Sequence, residues 1–167
     1  NEALVPIKTW SDAVNVTVKD FVHGVPPFPL VRETLTHANA QADCIVISQT
    51  PVDALEREWN ENDIRQFVQI IAGQEMGTKT EHLAFAAKEK YAADKVLMIG
   101  DAPGDHKAAA ANEALFFPIN PSNEEASWER LHNEALEKFF AGSFAGEYQQ
   151  QLLDEFEGYL PENPGWA

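Results

Sequence analysis

The stretch from Lys95 to Lys107, KVLMIGDAPGDHK, constrains this chain most. Val96 to Ile99 is a short continuous apolar run that stops at Gly100, and the alanine-rich run Ala108 to Ala111 follows closely. An apolar run of that length ahead of a helical pattern is the signature of a buried parallel strand feeding a helix. In such sheets ligands bind beyond the carboxyl ends of the strands. Asp101 then stands at the strand tip and Asp105 at the start of the helix, so both carboxylates can face one spot. Two oxygen ligands there, completed by water and a phosphate group, suit Mg²⁺. A plainer reading makes Asp105 a helix cap and Asp101 ordinary turn chemistry. Taken by itself the stretch supports both equally.

The flanking chain repeats the same grammar. Leu30 to Ala40 is helical, with Leu30, Val31, Thr34, Leu35 and Ala38 on one face. Asp43 to Ser48 reads as a second apolar strand, and Pro51 opens a helix carrying Leu55 and Trp59. Phe67 to Ile71 is a third strand, and a helix runs from the Gly77 to His82 stretch to Tyr91. After Asp105 come a helix over Ala108 to Asn112 and a strand over Ala114 to Ile119. Helices over Glu124 to Phe140 and Ala145 to Tyr159 follow, then an extended tail from Pro161. Strand and helix alternate from residue 30 to residue 120, which predicts a parallel sheet with helices on both faces. The fold class is therefore α/β, a three-layer α/β/α Rossmann-like domain. Residues 1–24 are harder to read. Trp10, Val14, Val18 and Phe21 fall at helical spacing with Ser11 and Asp12 as a cap, while Val14 to Val18 also alternates like a strand. The helix is preferred, and Pro26, Pro27 and Pro29 end it.

Charge narrows the partners. A net charge of −15, from 27 acidic residues against 12 Lys and Arg, repels nucleic acid and anionic membrane surfaces, so neither is an expected partner. A phosphorylated substrate would be repelled too, unless a metal ion and a local lysine reverse the sign. The single cysteine, Cys44, leaves no internal disulfide and suits a reducing compartment such as the cytoplasm. No apolar run reaches membrane-spanning length.

Three places carry chemistry at strand ends or loops: Ser48, Lys79 and the pair Asp101/Asp105. Phosphoryl transfer needs donors and positive charge around the transferring group more than it needs covalent machinery. In order and spacing, ISQTP, GTKTEHLAFAAK and VLMIGDAPGDHKAA resemble the second, third and fourth motifs of the haloacid dehalogenase-like (HAD) hydrolase superfamily, over roughly residues 26 to 120. The resemblance implies a HAD-like, Mg²⁺-dependent phosphatase of a small phosphorylated metabolite. It implies that Ser48 holds a phosphate oxygen and that Lys79 balances negative charge. It also implies that Asp101 binds Mg²⁺ directly and that Asp105 does so directly or through water.

The superfamily's first motif, an apolar strand ending DxDx[TV] whose first Asp is the nucleophile, is not found. The nearest candidate is Asp20 in VTVKDFVHG, where Val22 replaces the second Asp and Gly24 the Thr or Val. The favoured expectation is that the nucleophile strand lies in upstream sequence missing from this chain. Residues 1–24 would then be the end of a helical cap, residues 25–167 the core, and this chain alone inactive. Two alternatives stand beside it. One is a non-catalytic HAD-like binding protein that has lost the motif; the other is an acidic α/β domain whose carboxylate pair only caps a helix. Among the remaining residues, His23, His37, His82, His106 and His132 show no metal-ligand spacing and read as surface or capping groups. Cys44, Trp59 and Trp128 read as core, and Gln49 and Thr50 as backbone donors to phosphate.

Overall fold

The computed structural model describes residues 4–21 and 23–160. The first helix, α1 (Val5–Phe21), settles the choice between helix and strand in favour of helix. It starts ahead of Ser11 and Asp12, so these do not cap it; Asp12 instead accepts from Lys8 Nζ one turn back, at 2.6 Å. Asp20 lies inside this helix and not beyond a strand, which overturns its reading as a strand-tip nucleophile. The apolar side chains Ile7, Trp10 and Phe21 are 60%, 68% and 79% exposed, and no core cluster includes an α1 side chain among the described residues. The extended tail expected from Pro161 onward lies outside the described residues.

The α/β alternation then runs as the sequence predicts. In order come α2 (Val31–Asn39), β1 (Ile45–Ile47), α3 (Val52–Glu61), β2 (Ile70–Ala72), α4 (Lys79–Ala87), β3 (Leu97–Gly100), α5 (Pro103–Ala111) and β4 (Leu115–Pro118). The third strand is Ile70–Ala72 and not Phe67 to Ile71, because a 3₁₀ turn takes Arg65–Phe67, and two helix boundaries also shift for local reasons. Helix α4 stops at Ala87 and not at Tyr91, because Lys88 is extended and Glu89 turns to φ 66°. Helix α5 begins five residues earlier than expected because Pro103 occupies its first turn, where a missing N–H costs nothing. The carboxyl-terminal part comprises α6 (Glu124–Arg130), a π-helical turn (Leu131–Ala135), α7 (Leu136–Phe140) and α8 (Glu147–Gly158).

All strand pairing is parallel, as expected, but the strands form two pairs and not one sheet. β1 pairs with β2 from Ile45↔Ile70 to Ile47↔Ala72, and β3 pairs with β4 from Leu97↔Leu115 to Gly100↔Pro118. The second edges of β1 and β3 pair with no described strand. Burial shows where the sheet is interrupted. All four residues of β4 are buried, and its Phe116 N–H is taken by Gln149 Oε1 of α8 at 3.0 Å, which closes that edge. β1 is only half-buried along its length, and Ile99 of β3 is 38% exposed. The strands that would be central in one sheet are thus wetter than the strand at its margin, the reverse of a completed parallel sheet.

Period-two alternation divides the core around β4. Leu115, Phe117 and Ile119 pack with Leu131, Leu136, Phe139 and Leu152 of the carboxyl-terminal helices and with Phe144 from the turn between α7 and α8. Phe116 faces the other way, with Met98, Leu83, Phe156 and the alanines of α5. Ala108 and Ala109 are 1% and 0% exposed; their small side chains let α5 lie close against β3 and β4. Burying Phe116 and Phe117 contributes about 2–3 kcal/mol each. A third cluster, Leu55, Val68 and Ile71, holds α3 against β2 with Cys44, Val46 and Trp59 at its border. Ile47 of β1 packs against the Met98 cluster, so β1 rather than β2 lies nearest β3.

Candidate active site

Gly100 ends β3 and is the reason Asp105 can sit where it does. A Cβ on Gly100 would fall 2.4 Å from Asp105 Cβ and 2.6 Å from its Cγ, closer than atoms can approach. With only hydrogen there, the Asp105 side chain folds under the strand end, and the residue is 3% exposed. Its Oδ2 accepts from the Ala102 N–H at 3.1 Å, closing the first turn of α5. Its Oδ1 accepts from Lys79 Nζ. Asp105 is therefore a helix-capping group, as the plainer reading of the sequence has it, and an ion-pair partner as well. A buried carboxylate needs both forms of support, since an uncompensated charge in the interior costs several kcal/mol.

Lys79 is presented by the amino end of α4. Thr78 Oγ1 accepts from the Glu81 N–H at 3.3 Å, and Glu81 Oε2 accepts from the Thr78 N–H at 2.9 Å. This reciprocal cap fixes the first turn and thereby the direction in which Lys79 leaves it. The hydrogen bonds from Thr78, backbone first and side chain second, hold the Glu81 carboxyl below the usual glutamate range. The Lys79 side chain is 27% exposed against 4% for Asp105, so the pair is buried on one side and reachable on the other.

Ser48 follows β1, and its own N–H donates to Ala72 O of β2 at 2.9 Å. Its hydroxyl accepts from the Thr50 N–H at 3.1 Å, which bends the chain into α3. Gly73 makes this turn possible, because a Cβ there would meet Thr50 O and Val52 Cγ2 at 2.7 Å. Gln49 Nε2 donates to Gly77 O at 3.1 Å, two residues before Lys79. The Ser48 turn, the Lys79 turn and the Asp105 turn are thus joined at the amino end of α4, and the carboxyl ends of the two strand pairs meet there. Asp101 stands next to this junction, exposed, with no hydrogen bond or ion pair to another described residue. Asp105, by contrast, is buried and turns inward.

Among the described residues no group of three or more His, Cys, Asp or Glu side chains could hold a metal ion. The donor set for a hard cation is the free Asp101 carboxylate beside the already engaged Asp105. One or two carboxylates, completed by water and phosphate oxygens, are sufficient for Mg²⁺.

Sequence reasoning passed over one residue at this place. His82 is 6% exposed and not a surface or capping group, and both its ring nitrogens are buried without a hydrogen-bond partner among the described residues. Its position three residues after Lys79 and next to Leu83, on the inward stripe of α4, carried the signal. His106, by contrast, stacks on Phe116 at 5.2 Å between ring centroids. Cys44 has its thiol pushed up by burial, as befits a core side chain and not a nucleophile.

Comparison with protein families decides the kinship of the chain. Residues 2–117, more than half of its length, match the model of the haloacid dehalogenase-like hydrolases. The chain belongs to that family. The match takes in Ser48, Lys79, Asp101 and Asp105, and extends across α1, further toward the amino end than the motifs do. Helices α6, α7 and α8 of this haloacid dehalogenase-like chain lie beyond it. No curated protein and no solved structure matches. No helix among the described residues is long and apolar enough to cross a membrane.

Proposed function

We propose that this haloacid dehalogenase-like chain carries the phosphate- and metal-binding part of a Mg²⁺-dependent phosphatase for a small phosphorylated metabolite. The nucleophilic aspartate belongs to a further strand that lies between β1 and β3. The observation that carries this reading is the break in the sheet: the second edges of β1 and β3 pair with no described strand, Ser48 and Asp101 follow the carboxyl ends of those two strands, and Lys79 opens α4 beside them. A parallel strand placed there would pair with both edges and bring its carboxyl end beside Lys79. Unpaired parallel edges are a liability that folded proteins cover.

Mg²⁺, when bound, supplies positive charge against the transferring phosphate. Within this chain Asp101 offers that ion a free carboxylate, and Asp105 orders a bound water or the lysine. The Ser48 hydroxyl donates to one phosphate oxygen while its own oxygen keeps the Thr50 N–H. The Lys79 ammonium, held by Asp105, lowers the repulsion between an attacking carboxylate and the phosphate. Splitting hydrolysis through a carboxylate nucleophile replaces one difficult step by two easier ones. The residues present assist that chemistry without performing the attack.

The test is release of p-nitrophenol from p-nitrophenyl phosphate by the product of the full coding sequence and by the 167-residue chain. Turnover is expected from the longer product only. It should be abolished by EDTA, and lowered about a hundredfold by Asp101→Asn or Lys79→Met, the scale of losing one charge-stabilising group. Mg²⁺-dependent turnover by the 167-residue chain itself would refute the reading.

A further inference from the structure

The end of α3 farthest from Ser48 closes off a second recess. Residues 23–28, which join α1 to α2, fold back over the last turn of α3. There the Gly24 N–H donates to Glu61 Oε2 at 3.3 Å, and Asn62 Nδ2 donates to Val25 O at 3.0 Å. Between the two segments lies a cavity of about 300 Å³, at the lower end of the range for small-molecule sites. Helix α3 has 10 residues, about 15 Å of length, so this cavity is separate from the Ser48 turn at the other end.

The lining has an apolar part and a polar part. Val25, Phe28, Trp59 and Ile64 form the first. Val25 and Phe28 are exposed and belong to no core cluster. Glu58, Glu61 and Asn62 form the second. Asn62 spends its Nδ2 on Val25 O and on Glu58 O, so only its Oδ1 acceptor is left for a ligand. The two carboxylates share Arg57 at long range: Glu61 Oε1 is 3.7 Å from its Nε, and Glu58 Oε1 is 3.8 Å from its Nη2. Both distances exceed the roughly 2.7–2.9 Å of a charge-assisted hydrogen bond, so the carboxylate oxygens keep room for a closer donor. One guanidinium against two carboxylates also leaves negative charge in excess. The last turn of α3 holds no basic residue, and the negative end of the helix dipole adds to that excess.

We propose that this cavity binds a small, free primary alkylammonium ion with a short apolar body. An ammonium group has three N–H donors and no acceptor, which matches Glu58, Glu61 and Asn62 Oδ1. The alkyl body rests on Val25 and Phe28, and the aromatic side chains of Phe28 and Trp59 add an attraction for a cation. An anion would meet acceptors and excess negative charge, and a neutral alcohol would leave that charge unanswered. A metal ion is served less well, because no group of three or more His, Cys, Asp or Glu among the described residues could hold one. The site stands apart from the phosphatase reading, since neither Ser48, Lys79, Asp101 nor Asp105 lines the cavity.

The experiment is titration of the ¹⁵N-labelled 167-residue chain with isoamylammonium, isoamyl alcohol and isovalerate, which share one branched body and differ in charge. Saturable shifts of the Gly24 and Asn62 amides and of the Trp59 indole N–H, assigned with Trp59→Phe, are expected with the ammonium alone. Glu58→Gln, at a side chain with no bond to residues 23–28, should weaken ammonium binding about fivefold, the scale of losing one partly exposed charge. Glu61→Gln, which keeps an acceptor for the Gly24 N–H, should do the same, and circular dichroism should show both variants folded. An equal response to the alcohol or the carboxylate would overturn the proposal. So would no response to the ammonium, shifts that spread over the acidic surface without saturating, or unchanged affinity in either folded variant.

Discussion

Lys79 Nζ and Asp105 Oδ1 form an ion pair across 26 residues of chain, and it joins the amino ends of α4 and α5. The carboxylate is buried and the ammonium partly open, so the pair is asymmetric. Lys79→Met leaves Asp105 uncompensated and should cost about 3 kcal/mol, the low end for a broken buried pair because Lys79 retains some water. Asp105→Asn, which keeps an acceptor for the Ala102 N–H and removes the charge, should cost less. Urea unfolding of the two variants checks the order. Equal, small losses would mean the pair is held no more firmly than a surface contact.

Gly100→Ala tests the close approach that admits Asp105. The added methyl would stand 2.4 Å from Asp105 Cβ, and a helix-borne side chain packed beneath a strand cannot simply rotate away. A stability loss of about 1–3 kcal/mol is expected. It should come with a weaker Mg²⁺ response in the longer product, because Asp105 and the start of α5 are displaced together.

Glu113 offers the opposite sign. It follows α5 at φ 57°, exposed, with its N–H on Ala110 O at 3.1 Å and the Ala114 N–H on Ala109 O at 3.0 Å. That is the helix-terminating arrangement in which glycine is favoured. Glu113→Gly removes the left-handed strain and should raise stability by about 0.5–1 kcal/mol, read again from urea midpoints.

Alkaline pH acts through Tyr148. Burial, ahead of the nearby Glu134 charge, pushes its phenol from 10.0 up to about 12. The unfolded chain releases this proton first as pH rises. The contribution is therefore fully present below pH 10 and lost as pH climbs toward 12. Tyr148→Phe should flatten that part of the thermal-stability profile, and an unaltered profile would show that the hydroxyl is solvated in the folded state.

While the local signals of Pro103 and of the Thr78/Glu81 cap were passed over, most elements from α2 to β4 were legible because short apolar runs and Pro51 act locally. The same holds for the positions of Ser48, Lys79 and Asp101 at strand ends or at the start of a helix. Much else that escaped was non-local. The inward turn of Asp105 depends on a hydrogen at Gly100 and a lysine two elements away. The split into two strand pairs depends on what stands between β1 and β3, and no residue of either strand announces it. His82 escaped because polarity was weighed ahead of its helical offset. Val14 to Val18 satisfied both periods, and the longer stripe from Trp10 through Val14 and Val18 to Phe21 was the better guide.

The central claim is that the sheet lacks a strand between β1 and β3, and amide hydrogen exchange reads this directly. In the 167-residue chain, amides of Ile45 to Ile47 and Leu97 to Gly100 that do not bond β2 or β4 should exchange orders of magnitude faster than those of Phe116 and Phe117. In the product of the full coding sequence they should slow to the rate of β4. Protection of β1 and β3 equal to that of β4 in the shorter chain would contradict the account, because their edges would then already be paired.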